Sequence, residues 1–277
     1  MMRSEPIRSS DKRLADRVAI VTGGGTGIGR GIATVLAEQG ADVVIADIDR
    51  ATAQETARAV EKLGRTASVV EADVTKRAST DAMVSSALIQ FGHVDILVNN
   101  AGVGGGRDWW TRNQSNGDDW DYTYGVNVMG IVHGIESVQS HMKDRRSGKI
   151  INIASTAGRR GASGFVHYSA SKASAINVTQ AYALRLAPFN INVNSICPGL
   201  LWTPLWEKIA ERRQNSMSQA ERVTPREYFL QQVKAGVPLG REQTPEDIGK
   251  LAAFLASDLA RNITGQAINV NGGSYKN

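Results

Sequence analysis

Tyr168 and Lys172 stand four residues apart in Tyr168-Ser169-Ala170-Ser171-Lys172, a stretch of helical character, so both side chains project from one helix face. A tyrosine, with a reference pKa of about 10, is a poor base at neutral pH. An ammonium group beside it favours the phenolate, and bringing the phenol down to about 7 takes roughly 4 kcal/mol. Such a pair can exchange a proton with an alcohol or carbonyl oxygen. Ser155, thirteen residues earlier, closes a β-branched run and can hold the same oxygen from its other side, stabilising the charge that develops as a hydride moves. The three residues point to interconversion of a secondary alcohol and a ketone, which needs a hydride carrier.

A place for that carrier lies near the N-terminus. Directly after the apolar run Val18 to Val21 comes Thr22-Gly23-Gly24-Gly25-Thr26-Gly27-Ile28-Gly29, leading into a helical stretch from Arg30 to Gln39. Glycines here let the backbone approach a pyrophosphate, which then sits at the positive end of the helix. Gly23, Thr26, Gly27, Ile28 and Gly29 are the candidate contacts, although no frame fits a strict G-x-G-x-x-G string. Asp47 ends the next strand, 18 residues beyond Gly29. A carboxylate there accepts both ribose hydroxyls of an adenosine and repels a 2′-phosphate, which favours NAD over NADP. The same carboxylate could serve only to open the turn before the next helix.

Elements that could position these groups alternate along the chain. Short runs suited to strands occur at Val18–Val21, Val43–Ala46, Ala67–Val70, Ile96–Val98, Ile150–Ile153, Ile191–Val193 and Ala267–Val270. Most are continuously apolar, as expected of strands buried on both faces. Helical patterns separate them, one of them running from Ala51 to Leu63 and ending at Gly64. The alternation predicts an α/β fold: a single-domain, Rossmann-like, doubly wound sheet of about seven parallel strands with helices on both faces. Residues 1–15 read as a flexible N-terminal extension and 16–277 as one dinucleotide-binding and catalytic domain. Between about 200 and 240 the pattern breaks down, with short helices at Trp206–Arg213 and Pro225–Val233 around a polar hinge, Gln214–Arg222. An irregular stretch of this length inside a compact domain predicts a substrate lid.

Composition narrows the class. No stretch approaches the roughly 20 uncharged apolar residues of a membrane span. The single cysteine, Cys197, cannot close an internal disulfide and suits a reducing, cytoplasmic compartment. The net charge of +5 comes from short clusters rather than a basic stripe, so nucleic acid is not the expected partner. Arg159 and Arg160 read as surface residues rather than an acid-binding pair. The four histidines are scattered and no metal site is expected.

The ordered set of motifs resembles the short-chain dehydrogenase/reductase family over residues 17 to 273. It comprises the glycine turn, Asp73-Val74, Asn99-Asn100-Ala101-Gly102, Asn127, Ser155, Tyr168 to Lys172, Cys197-Pro198-Gly199 with Thr203, Ile263-Thr264-Gly265-Gln266, and Gly272-Gly273. Asn271 stands where the family usually has aspartate. The resemblance implies that Tyr168 is the general acid/base and that Lys172 binds the nicotinamide ribose. It implies that Asn127 holds a proton-relay water, and that Asp73 and Val74 flank the adenine. Asn100, Ala101 and Gly102 would border the adenosine ribose, and Pro198, Gly199 and Thr203 the nicotinamide carboxamide. It further implies a homotetramer paired through helices holding residues 118–142 and 167–187. The run Pro198 to Glu207 is similar to members acting on diketones, acetoin, butanediol and sugar alcohols, so a small diol, sugar alcohol or diketone is the expected substrate. Two alternatives share the motifs: an NADP-dependent reductase of 3-oxoacyl thioesters, and a dinucleotide-binding scaffold without catalysis.

Overall fold

The central apolar runs are buried on both sides because helices cover each face of the sheet they form, while the two edge runs are partly exposed. The structure, a computed structural model, describes residues 13–112 and 114–276. The strands are β1 (Val18–Thr22), β2 (Asp42–Asp47), β3 (Ala67–Glu71), β4 (Ile96–Asn99), β5 (Gly148–Ile153), β6 (Ile191–Pro198) and β7 (Ala267–Val270). They form one parallel sheet in the order β3-β2-β1-β4-β5-β6-β7. The winding reverses between β1 and β4, which opens a crevice at the carboxyl ends of those two strands.

Helices α1 (Gly27–Glu38), α2 (Arg50–Lys62) and α9 (Pro245–Ala256) cover one face. The other carries α3 (Arg77–Phe91), α5 (Gly130–Arg145) and α6 (Val166–Leu186). Helix α4 (Gly117–Tyr124) runs into α5 through a wider turn of π type, Gly125–Met129. Helices α7 (Pro204–Asn215) and α8 (Pro225–Gly236) stand above the carboxyl edge on a small core of their own, Phe229, Val233 and Val237 with Leu200, Trp202 and Trp206.

Several boundaries differ from the sequence reading. Strand β6 runs on to Pro198, because its polar Asn192 and Asn194 are satisfied inside the sheet edge. Asn192 donates to the carbonyls of Arg261 and Ile263, and Asn194 donates to Ile263 and accepts from Gln266. Helix α1 begins at Gly27 rather than Arg30. Packing reaches back past residue 16: Leu14 is fully buried and its N–H bonds the Gln39 carbonyl. Residues 1–12 of the expected extension lie outside the described residues. The polar hinge begins with a buried residue, since the Gln214 side chain accepts the Val223 N–H at 2.8 Å and ties the α7–α8 loop end to end. No helix among the described residues is long and apolar enough to cross a membrane.

Candidate active site

The glycine turn leaves β1 at the switch point. Gly23 has φ +60°, and a Cβ on Gly29 would lie 2.0 Å from the Gly23 carbonyl oxygen, so only hydrogen fits where α1 folds back over the turn. Asn100, just past β4, holds the turn from beneath, donating its Nδ2 to the carbonyls of Thr22 and Gly23 at 2.9 Å. Thr22 Oγ1 returns the contact by accepting the N–H groups of Asn100 and Ala101 at 3.0 and 3.2 Å. Thr22 was not singled out from the sequence; the signal was its place between a strand and the first glycine.

Thr26 begins α1 without a side-chain cap, and the first turn contains no acidic residue. The positive end of the helix is therefore uncompensated, which fits a bound diphosphate. Asp47 borders the turn. Its Oδ2 accepts the Gly25 N–H at 2.8 Å and its Oδ1 the Asp49 N–H at 3.0 Å, leaving each oxygen a further lone pair. The bond to the Asp49 N–H also lets Asp47 open the turn before α2, while the cap of that helix is Asp49, which accepts from Ala51 and Thr52. These features fit a bound dinucleotide.

Asp73 and Val74 follow β3 on the same edge. Thr75 donates both N–H and hydroxyl to the Asp73 carboxylate, holding its pKa below the ordinary value. The Val74 carbonyl bonds His133 Nδ1 at 2.9 Å. On the far side, Gly199 bonds the Val270 carbonyl, and Thr203 caps α7 by accepting the Trp206 N–H. Thr203 also faces the glycine turn, since a Cβ on Gly27 would lie 3.6 Å from its side chain.

Strand β5 stops at Ile153, so Ser155 lies beyond the strand and opens a short helical turn, Thr156–Gly158, whose Ala157 N–H its hydroxyl accepts at 3.1 Å. Gly158 lets this turn lie on α6: a Cβ there would fall 2.5 Å from the Lys172 carbonyl carbon. That contact brings Ser155 beside Tyr168, near enough for the serine hydroxyl to favour the phenolate. Burial nonetheless pushes the Tyr168 pKa upward, the serine only moderating the rise. Lys172 is buried, donates to the Ile153 carbonyl at 2.8 Å and lies 5.8 Å from the centre of the Tyr168 ring. Desolvation lowers its pKa from 10.5 to about 8. The expected depression of the tyrosine is thus not a property of this pair alone.

Asn127 is fully buried in the π turn. It exchanges two hydrogen bonds with the Val103 backbone, at 2.8 and 2.9 Å, and donates to Ser171 at 3.0 Å. A Cβ on Gly102 would lie 3.3 Å from Lys172 Nζ and 3.4 Å from Asn127 Oδ1, so Gly102, Asn127 and Lys172 share one small space.

An aromatic wall adjoins Tyr168. Phe165 meets it edge-on at 5.3 Å, and Trp109, 2% exposed, meets Phe165 and His167 at 5.6 and 4.6 Å. His167 Nε2 donates to the Gly104 carbonyl at 2.8 Å, fixing the glycine-rich segment beside the wall. Arg212 of α7 lies over the Trp109 ring at 3.8 Å and donates Nε to the Arg112 carbonyl at 3.1 Å. Buried Asp119 anchors the segment by accepting from Arg112, Gly106 and Asn116. Arg212 was not evident from sequence because its Arg112 partner lies 100 residues away, whereas Asp119, whose partners lie 3 to 13 residues away, could have been found from the capping pattern Asn116-x-x-Asp119. Arg159, read as a surface residue, donates inward to the Ala267 carbonyl and approaches buried Cys197.

A family profile described as enoyl-(acyl carrier protein) reductase matches residues 23–275. Galactitol 2-dehydrogenase of Agrobacterium fabrum is 40% identical over 264 residues, covering 95% of this chain and 99% of the relative. A 3-oxoacyl-[acyl-carrier-protein] reductase of Thermotoga maritima is 32% identical, covering 94% of this chain and 98% of the relative. Among solved structures, NAD+-bound xylitol dehydrogenase superposes with a TM-score of 0.85 at 32% identity, covering 95% of this chain and 100% of that one.

Proposed function

This chain belongs to the short-chain dehydrogenase/reductase family, enzymes acting between CH–OH and C=O groups, and on that premise we propose that it moves a hydride between NAD(H) and a secondary alcohol or its ketone. The observation that carries this reading is the convergence of Ser155, Tyr168 and Lys172 beside an uncapped helix start at the switch point of the sheet.

NAD, when bound, supplies a hydride acceptor or donor at its nicotinamide ring. Gly23, Thr26, Gly27, Ile28 and Gly29 would hold the diphosphate, Asp47 the adenosine ribose, and Asp73 and Val74 the adenine. Asn100, Ala101 and Gly102 would border that ribose, and Pro198, Gly199 and Thr203 the carboxamide. Tyr168 takes or returns the proton of the substrate oxygen while Ser155 donates to that oxygen. Because burial raises the tyrosine, it gives up its proton readily only when positive charge beyond Lys172 stands next to it. Lys172 holds the nicotinamide ribose, and Asn127 positions a water through which the proton leaves.

Asp47 supports NAD over NADP, since a carboxylate beside Gly25 repels a 2′-phosphate. The substrate is a diol, sugar alcohol or diketone, a reading supported by the galactitol 2-dehydrogenase relative. The second reading, reduction of a 3-oxoacyl thioester, has the Thermotoga relative in its favour and Asp47 against its usual cofactor. A cytoplasmic homotetramer is the proposed form, with exposed Tyr122, Met129 and Leu184 on the α4–α6 side available for pairing.

The test is NADH formation by absorbance, offering NAD or NADP with secondary alcohols, vicinal diols, sugar alcohols and 3-hydroxyacyl thioesters. Turnover with NAD that falls about hundredfold or more in Tyr168→Phe is the expected result. Preference for NADP would overturn the role of Asp47. Undiminished turnover in the variant would overturn that of Tyr168.

A further inference from the structure

A cleft of about 440 Å³ opens between α7, α8 and the loop leading into α6. Phe165 lines it and also packs edge-on against Tyr168, with the ring centres 5.3 Å apart. Ile209 adds a second apolar surface, while Arg212, Arg213 and Tyr228 bring polar groups to the same space. Arg212 commits Nε and one terminal nitrogen to the Arg112 carbonyl. Among the described residues, no hydrogen bond or ion pair engages the Arg213 guanidinium or the Tyr228 hydroxyl. Glu221, which Ser218 holds by its hydroxyl, lies within electrostatic reach of Arg213. Two guanidinium groups and a phenol hydroxyl around a partly apolar cleft match the needs of an anion attached to a carbon chain.

We propose that this cleft receives an anionic group, carboxylate or phosphate, carried by the substrate several bonds from the carbon oxidised beside Tyr168. Arg213 is its principal partner, with Tyr228 and the uncommitted nitrogen of Arg212 as further donors. The proposal rests on the hydride-transfer reading but departs from the neutral substrate given with it: the preferred substrate is an acidic hydroxy or oxo compound rather than a neutral polyol. The anionic group undergoes no bond change. The carbinol oxygen passes its proton to the Tyr168 phenolate as C=O forms, and the hydride lost from its carbon is what a bound NAD would accept.

The experiment compares 3-hydroxybutanoate, 4-hydroxypentanoate and 5-hydroxyhexanoate with their primary amides, and with a phosphate monoester of butane-1,3-diol and 3-hydroxybutanoyl coenzyme A. Each is assayed with the full-length protein, with Arg213→Gln, and with Arg58→Gln as a distant charge control. Wild type should favour one acid over its amide in kcat/KM, mainly through KM. Arg213→Gln should reduce that ratio by about tenfold or more, and Arg58→Gln should not. Whether carboxylate, phosphate monoester or coenzyme A thioester shows the largest loss identifies the source of the charge. If none turns over, calorimetric titration of acid and amide into the NADH complex gives the same comparison. An acid preference lost in Arg213→Gln supports the site. Equal binding of acid and amide, or a preference indifferent to Arg213, overturns it. Failure of NADH itself to bind would instead strike the hydride-transfer reading.

Discussion

Lys172 is 4% exposed, and its one short contact is a carbonyl oxygen rather than a carboxylate. The depression of its pKa to about 8 has a definite sign in stability. Between about pH 8 and 10.5 the unfolded chain keeps a proton that the native protein has released, so this group's contribution to stability rises with pH across that window. At pH 7 the buried charge costs roughly 3 kcal/mol, whereas the Ile153 oxygen left unpaired by Lys172→Met costs about 1–3 kcal/mol. The variant should therefore lose activity at least about hundredfold while melting within about 5 °C of wild type at pH 7. Chemical denaturation should show wild type gaining about 2–3 kcal/mol on the variant between pH 7 and pH 10. A gap independent of pH would contradict the burial argument. Tyr168 and Lys172 were legible from sequence because their spacing is local to one helix. Asn127 could not be read from spacing alone, since its partners Val103 and Ser171 lie 24 and 44 residues away.

Among the elements, the strands were legible from apolar runs, but their ends were not. Strand β6 hides behind asparagines whose partners belong to the following connection, and Ser155 lies past β5 because the chain turns there to meet α6. Such ends are set by tertiary hydrogen bonds, which override local pattern. The turn between β1 and α1 is the most exacting junction. In Gly29→Ala the new methyl would meet the Gly23 carbonyl, so the turn and the helix must separate. Its affinity for NADH, followed by fluorescence titration, should fall at least about tenfold, with stability lower by about 1–3 kcal/mol. Gly161→Ala, where a Cβ meets nothing within 4 Å, is the matched control and should change neither. Retained NADH affinity in Gly29→Ala would mean that the turn is not where the cofactor sits.

The molecule as a whole separates chemistry from anchoring. Ser155, Tyr168 and the glycine turn lie beyond the carboxyl ends of the strands. At the opposite edge, buried Asp95 accepts the Val18 N–H at 2.9 Å and pairs with Arg145 at 3.0 Å, with Arg17 and His93 close by. Asp95→Ala should lower stability by about 2–4 kcal/mol in urea denaturation, because it strands partners of a buried carboxylate. The fraction that stays folded should keep its KM for cofactor and substrate. A changed KM would show that the two edges communicate.

Arg212 has one more effect at this scale. It joins two stretches distant in sequence, the segment carrying Trp109 and Arg112 and the helix α7. With Lys208 of α7 also 6.0 Å from the Trp110 ring, neither stretch can shift without giving up cationic contacts to the other's aromatic rings or backbone.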